Sequence, residues 1–430
     1  MQNTHGIINR ITSEKDNILR MISVFSLKVG SSVLALLVGI TLSRILGVEE
    51  FGQYSLAIAW VTFLQIPALM GMRPFIVRES ARARTDISSI SEVYKTAAFV
   101  TIVTSSLLVV ITLPVISVFS ERLNINYSNT VAAIVALPIL TLCQVRQGVL
   151  QGVKRISIGL IPESLLMPVF FLSLIIAAKY LWGGVEANTI LILRSFCIIG
   201  VYLLGIILMI KTVSLKRTVF TLSRFDIVEV QNWLKKTPPF LLIAFSHMIY
   251  LRANLLIIGA YTDVESVGLY SVAQRGAEIA FFPQMAIDAV ASSVIAGMAS
   301  SARQEKLRVY AKYCVLCLTV TTLIALPLMF LGHYFLELFG SGFMAAEITL
   351  KILCLGQIFN SVSGPGVVYL CMLNQESLAS RIILLIGFFN LLLNLFLIPR
   401  FGIEGAAWAT CATSALQTII LIFLICRKSF

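Results

Sequence analysis

The chain alternates between apolar runs of about 20 residues and short breaks rich in charged or turn-forming residues. A helix rises about 1.5 Å per residue, so each run matches a hydrocarbon core of about 30 Å. The runs place helices near residues 23–43, 54–72, 95–118, 129–151, 158–178, 187–210, 237–260, 267–297, 309–331, 345–371, 378–398 and 403–426. A membrane barrel would instead show segments of roughly ten residues that alternate in polarity. Ser105 to Ile116 and Leu416 to Ile425 show no such alternation. The pattern predicts an all-α integral membrane protein with about twelve transmembrane helices.

Composition removes the soluble alternative. Of 430 residues, 58% are hydrophobic and 13% charged, with a mean hydropathy of +0.92, whereas soluble domains carry roughly 25% charged residues. The net charge of +12 reports orientation rather than nucleic-acid binding, because its placement is one-sided. With the N-terminus inside, 23 Lys and Arg fall in cytoplasmic loops and 4 in outer ones, which predicts that both termini are cytoplasmic. Met1 to Ile22 is polar and mixed in charge, so no cleavable signal peptide is expected and the first helix would anchor itself. In that segment Ile7, Ile8, Ile11, Ile18, Leu19 and Ile22 share a helical face and predict an interfacial helix. Leu222, Phe225, Val228 and Trp233, in the longest connection, predict a second segment lying along the membrane surface. The eight cysteines sit in or at the ends of apolar runs, where Cys packs as a small hydrophobe. Cys314 and Cys317 form a CxxC without a second pair, so neither a disulfide framework nor a metal site is expected.

The two halves of the chain are related. Val48-Glu-Glu-Phe-Gly-Gln-Tyr-Ser-Leu-Ala57 aligns without gaps on Val264-Glu-Ser-Val-Gly-Leu-Tyr-Ser-Val-Ala273, with six of ten positions identical and an offset of 216. Gly184-Val-Glu186 matches Gly402-Ile-Glu404 at an offset of 218. Duplication predicts two pseudo-symmetric six-helix lobes, residues 1–220 with the interfacial helix and residues 221–430. Six helices per lobe give both lobes one orientation, related by an axis along the membrane normal, with a substrate site between them near the midplane. Pro67, Pro138, Pro283 and Gly364-Pro-Gly366 interrupt spans, as kinks or as hinges of moving lobes. Gly148 and Gly152 predict a close helix contact.

The segment Arg44-Ile-Leu-Gly-Val-Glu-Glu-Phe-Gly-Gln-Tyr-Ser-Leu-Ala57 resembles the signature of the polysaccharide-exporter branch of the MOP superfamily, especially the Wzx-type O-antigen flippases. Gly71, the basic stretch Arg73 to Arg84, Leu150-Gln-Gly-Val-Lys-Arg155 and Gly402-Ile-Glu-Gly-Ala-Ala407 extend the resemblance over essentially the whole chain. It implies a multi-pass protein of a bacterial inner membrane that moves an undecaprenyl-pyrophosphate-linked oligosaccharide, an O-antigen or related surface polysaccharide unit, to the periplasmic leaflet. It also implies no cofactor and no enzymatic step, with the pathway's polymerase and chain-length machinery as possible partners. Gly47, Phe51, Gly52 and Tyr54, with Gly268 and Tyr270 in the second copy, are read as structural motif residues.

Charges inside spans are costly and point to function or pairing. Six basic residues (Lys28, Arg146, Arg194, Arg252, Arg275, Lys351) face four acidic ones (Glu163, Glu278, Asp288, Glu347), and the positive excess suits an anion. By depth, Arg252, Arg275, Lys28 and Arg194 are the candidates for a cationic cavity that holds a pyrophosphate. Glu278 and Asp288 are the candidate coupling carboxylates. Arg275 and Glu278 are also spaced to neutralise each other, and Lys351 has Glu347 one turn before it. Lys351 and Arg146 read best as side chains that snorkel to the headgroups. Gln144, Gln147 and Gln151, and Asn390 and Asn394, read best as interhelical glue. A multidrug extruder of the same superfamily is the main alternative, and an excess of buried carboxylates would favour it. A polysaccharide polymerase or ligase, which is an enzyme, is the second, and a large outer loop would favour that.

Overall fold

A straight helix of 44 residues is about 66 Å long, twice the thickness of the hydrocarbon core. An apolar helix of that length has to turn back. Two helices here, Ser26–Leu69 with 44 residues and Glu376–Arg427 with 52, break at a glycine. Gly47 takes φ 75° and Gly402 φ 57°, the left-handed region that only glycine enters at no steric cost. No heavy atom lies within 4 Å of where a Cβ on Gly47 would sit, so backbone conformation, not crowding, calls for glycine there.

The computed structural model describes residues 2–83, 86–120, 126–213, 227–298 and 302–427. Within these, the side chains of residues 2–22, 24–25, 87, 119, 227–229, 232, 236, 239–240, 242–243, 245–252 and 293 are not described. The helices are α1 (Gln2–Leu69), α2 (Arg73–Arg82), α3 (Ile87–Phe119), α4 (Tyr127–Ile134), α5 (Leu137–Gly152), α6 (Ile156–Ile161), a π-helical turn (Pro162–Leu166), α7 (Met167–Trp182) and α8 (Ala187–Val213). There follow α9 (Ile227–Lys236), α10 (Pro238–Tyr261), α11 (Val264–Ile279), α12 (Phe282–Gly297), α13 (Arg303–Phe330), α14 (Gly332–Glu337), a 3-10 turn (Ser341–Ala346), α15 (Glu347–Met372) and α16 (Glu376–Arg427). Among the described residues, eight helices are long and apolar enough to cross a bilayer, or nine if α11 and α12, bent by 43°, form one span. The two that turn back are among them, and no strand occurs among the described residues. Pro138 and Pro283 stand in the first turns of α5 and α12, where a missing N–H costs nothing. The backbone is helical from Gln2 into the first span. The apolar face expected from Ile7 to Ile22 lies outside the described side chains.

Among the described residues, three clusters make up most of the buried core. One cluster draws on both halves, with Phe51, Tyr54 and Ile190 beside Val267, Tyr270, Phe339 and Phe343. A second is built on Phe75, Tyr94, Val145 and Ile206, from the first half. A third is built on Tyr310, Tyr369, Ile382 and Leu421, from the second half. The halves are therefore joined at the end that carries the Gly47 and Gly402 turns, and each keeps its own core at the other end. Trp233 belongs to the first-half cluster, its ring 4.8 Å from that of Phe75. This corrects the expectation that Trp233 lies along the membrane surface: its ring is buried against Phe75 instead. Leu222 and Phe225, and the Val228 side chain, lie outside what is described. Gly148 and Gly152 meet Ile76 and Ser80 of α2, the close contact their spacing predicts.

The duplicated segments pack on each other. A Cβ on Gly52 would run into the carbonyl oxygen of Val264, and one on Gly268 would stand 2.6 Å from that of Val48. Ser55 and Ser271 meet hydroxyl to hydroxyl at 3.2 Å. Residues 216 apart in sequence thus face one another, Gly52 on Gly268 and Ser55 on Ser271. A contact in which each residue meets its own counterpart is the signature of a two-fold axis running through it. The repeat is therefore the seam between the halves.

Candidate substrate-binding cavity

Below this seam the halves part around a cavity of about 490 Å³, walled by α1, α7 and α8 on one side and α10, α11 and α12 on the other. Most of its wall is apolar. Into it project Arg194, Arg275 and Glu278, with Gln274 and Tyr54. Arg194 lies seven residues into α8 and Arg275 eleven into α11, or about 10 and 16 Å along those helices. Two guanidinium groups against one carboxylate leave the lining positive.

Arg275 is positioned from the opposite half. Its Nη1 donates to the Ala35 carbonyl at 3.2 Å, and its guanidinium carbon lies 5.9 Å from the centroid of the Phe51 ring, within cation–π range. Gly39 makes the approach possible, because a Cβ there would come within 2.7 Å of Nη1. Glu278 accepts a hydrogen bond from Gln274 Nε2, one turn back, at 2.9 Å. Tyr54, read from sequence as purely structural, is buried against Phe51 and also lines the cavity.

The other expected site residues lie elsewhere. Lys28 is exposed on the first span and does not line the cavity. The Arg252 side chain lies outside the described residues, although Leu255, three residues on, is in the wall. Asp288 sits inside the second half, below the cavity, against Gly364 of α15, and its Oδ1 is buried without a hydrogen-bond partner. Tyr270 is fully buried and accepts a hydrogen bond from Asn254, which also bonds Asn394 and Thr410. Asn394 in turn bonds Asn390, and Asn390 bonds Thr413. This chain ties α10, α11 and α16 together, so Asn390 and Asn394 act as the glue their spacing predicts. Lys351 meets Glu347 at 2.7 Å, also as predicted.

Arg146 does not snorkel. Its side chain is completely buried, with Nη2 at 2.6 Å from both oxygens of Glu163 and 3.1 Å from the Gly159 carbonyl. Nη1 reaches the Gly205 carbonyl at 3.4 Å, across a face that any Cβ on Gly205 would close. A fully desolvated guanidinium persists only with a carboxylate and carbonyls around it, and here α6, α8 and the π turn supply them. The π turn is the element that sequence reading missed. It spans Pro162–Leu166 and carries Glu163, the carboxylate that meets Arg146. Cys317 is core, Cys314 lies against the Val362 carbonyl at 3.9 Å, and among the described residues no group of three potential ligands forms a metal site.

With this geometry, known proteins can be compared. "Probable flippase AglR" of Haloferax volcanii is 26% identical over 390 residues, covering 88% of this chain and 76% of that protein. An inward-facing multidrug resistance MATE family transporter of the MOP superfamily superposes with a TM-score of 0.74 at 13% identity, over 92% of this chain and 93% of the other. The lipid II flippase MurJ, in an inward closed conformation, gives 0.69 at 17% identity, over 94% and 87%. These likenesses fix the fold as the two-lobed MOP architecture. The family described as "Polysaccharide biosynthesis protein" matches residues 19–295, well over half the chain, and this membrane protein, two lobes joined at a duplicated seam above a positively lined cavity, belongs to it.

Proposed function

We propose that this protein is a flippase of glycan biosynthesis, which carries a lipid-linked oligosaccharide from the cytoplasmic to the outer leaflet by alternating access. The observation that carries the reading is the cavity between the lobes, where Arg194 and Arg275 outnumber Glu278. A polyprenyl pyrophosphate is an anion that forked guanidinium donors recognise well. The names borne by the archaeal relative and by MurJ point the same way. A multidrug extruder shares the fold, but a positive lining is the wrong sign for cationic drugs. In a bacterial inner membrane the carrier is undecaprenyl pyrophosphate, and the cargo an O-antigen or related surface polysaccharide unit. About two negative charges moving outward are driven by an inside-negative potential, worth roughly 2.3 kcal/mol per charge per 100 mV. Glu278, in the wall, is the better placed of the two candidate coupling carboxylates.

The proposal includes twelve crossings with both termini in the cytoplasm. Reporter fusions at Arg84, Arg224 and Phe430 are expected to be cytoplasmic, and those at Tyr127, Asp263 and Ser341 external; an external C-terminus would break the six-plus-six arrangement. The test of function is loss of the protein. Lipid-linked oligosaccharide is expected to accumulate on the cytoplasmic face while surface glycan disappears. Absence of the lipid-linked unit itself would place the protein upstream, in synthesis, and overturn the reading.

A further inference from the structure

A second concavity of about 490 Å³ lies away from the substrate cavity, between α1, α7 and Leu338 just past α14. It crosses the line where the two halves meet, since α1 and α7 come from the first and Leu338 from the second. Its polar groups are Thr41, Arg44, Lys179 and Tyr180, and no acidic side chain lines it. Thr41 is occupied by the Leu37 carbonyl. Arg44 donates through Nε to the Leu338 carbonyl at 2.7 Å and through Nη2 to that of Glu337 at 3.5 Å. A guanidinium has five N–H donors, so Arg44 keeps several for an anion. Lys179 is exposed and forms no ion pair among the described residues.

Depth identifies the ligand class. Arg44 stands three residues before the turn at Gly47, and Lys179 four before the turn at Gly183. Both cations are therefore about 5 Å inside the same end of the molecule. Around them Tyr180, Leu181, Trp182 and Tyr334 are strongly exposed, the aromatic and apolar rim that marks a membrane–water interface. Two cations without a counter-charge, in a groove that opens to lipid at headgroup level, suit a phosphate that carries acyl chains. A freely soluble phosphate would gain nothing from the apolar rim.

We propose that this groove binds the headgroup of an anionic phospholipid in the outer leaflet, with Arg44 and Lys179 as its phosphate ligands. The ligand and the site are separate from the transported glycan, so the test needs no substrate. The full chain would be taken from bilayers of phosphatidylglycerol and phosphatidylcholine in equal amounts, and the retained lipids counted by native mass spectrometry. Wild type is expected to retain phosphatidylglycerol preferentially. Lys179→Ala should lower that preference about fivefold, the order expected for one basic group near an anionic headgroup, and Arg44→Ala should lower it at least as much. Because Lys179 is exposed and holds no other side chain, its substitution leaves the fold in place and keeps the test sharp even if Arg44→Ala misfolds. Equal retention of the two lipids in wild type, or an undiminished preference in Lys179→Ala, overturns the proposal. So does loss of the preference on adding excess inorganic phosphate, which would make the groove a simple anion site.

Discussion

Arg275→Glu is expected to reduce glycan export by about a hundredfold or more at wild-type protein levels, because two charges about 4 Å apart are worth about 4 kcal/mol at an effective dielectric of 20. The cavity wall carries Arg194, Arg275 and Glu278, so the reversal turns a net positive lining negative at the place proposed for a pyrophosphate. Arg275→Ala should be milder, since it removes one attraction and adds no repulsion. Arg275→Lys should retain part of the activity: the charge survives, but the fork that reaches Ala35 while facing the cavity does not. Arg194→Glu should follow the same order. Lys351→Ala should be nearly silent, because Lys351 pairs with Glu347 and lies outside the cavity wall. The measurement is surface glycan at matched amounts of membrane-embedded protein. Wild-type export from both Arg275→Glu and Arg194→Glu would remove the electrostatic site and leave the fold untouched.

Gly52→Val is expected to abolish export while leaving the chain in the membrane. A side chain at Gly52 meets the backbone of Val264 and Gly268, which cannot rotate out of the way, so relief comes only by parting α1 from α11. Each lobe's own core, around Phe75 in one and Tyr369 in the other, is untouched by that movement. The expected outcome is a folded protein that no longer closes at its seam. Gly268→Val should behave alike, by the two-fold relation. Gly200→Ala is the control, since nothing lies within 4 Å of the added atom. In a background without the eight native cysteines, Ser271→Cys should be shielded from an impermeant thiol reagent added outside, and become labelled once Gly52→Val is introduced. Continued shielding, with normal export, would show that the seam tolerates a gap and that its glycines are incidental.

Much of this architecture was legible because it rests on one-dimensional signals. Span positions follow from run length, and the repeat at Val48 and Val264 showed in the residue identities. That the two copies touch was not legible, since identity reports common origin and not proximity. Counting 1.5 Å per residue puts Arg194 and Arg275 well inside their spans, and both line the cavity. Depth alone does not show that Lys28, counted from the opposite face, is exposed and outside the cavity wall, because the direction around a helix depends on neighbours outside the local sequence. The sharpest miss was Arg146. Arg146 and Glu163 lie on separate helical segments, so no period within one helix announces their pairing, and the π turn has no residue signature beyond Pro162. Nor does the local sequence show that Arg44 reaches the carbonyls of Leu338 and Glu337, 294 and 293 residues away.

The burial of Arg146 has a consequence for how the chain is made. Translation delivers Arg146 before Glu163, 17 residues later. During that interval the cation has no counter-charge, and an unpaired guanidinium inside a span is costly. Its buried partners come from α6 and the π turn, which supply the Gly159 carbonyl and the Glu163 carboxylate. The pairing is therefore complete only when both helical segments have been made, the acid following the base.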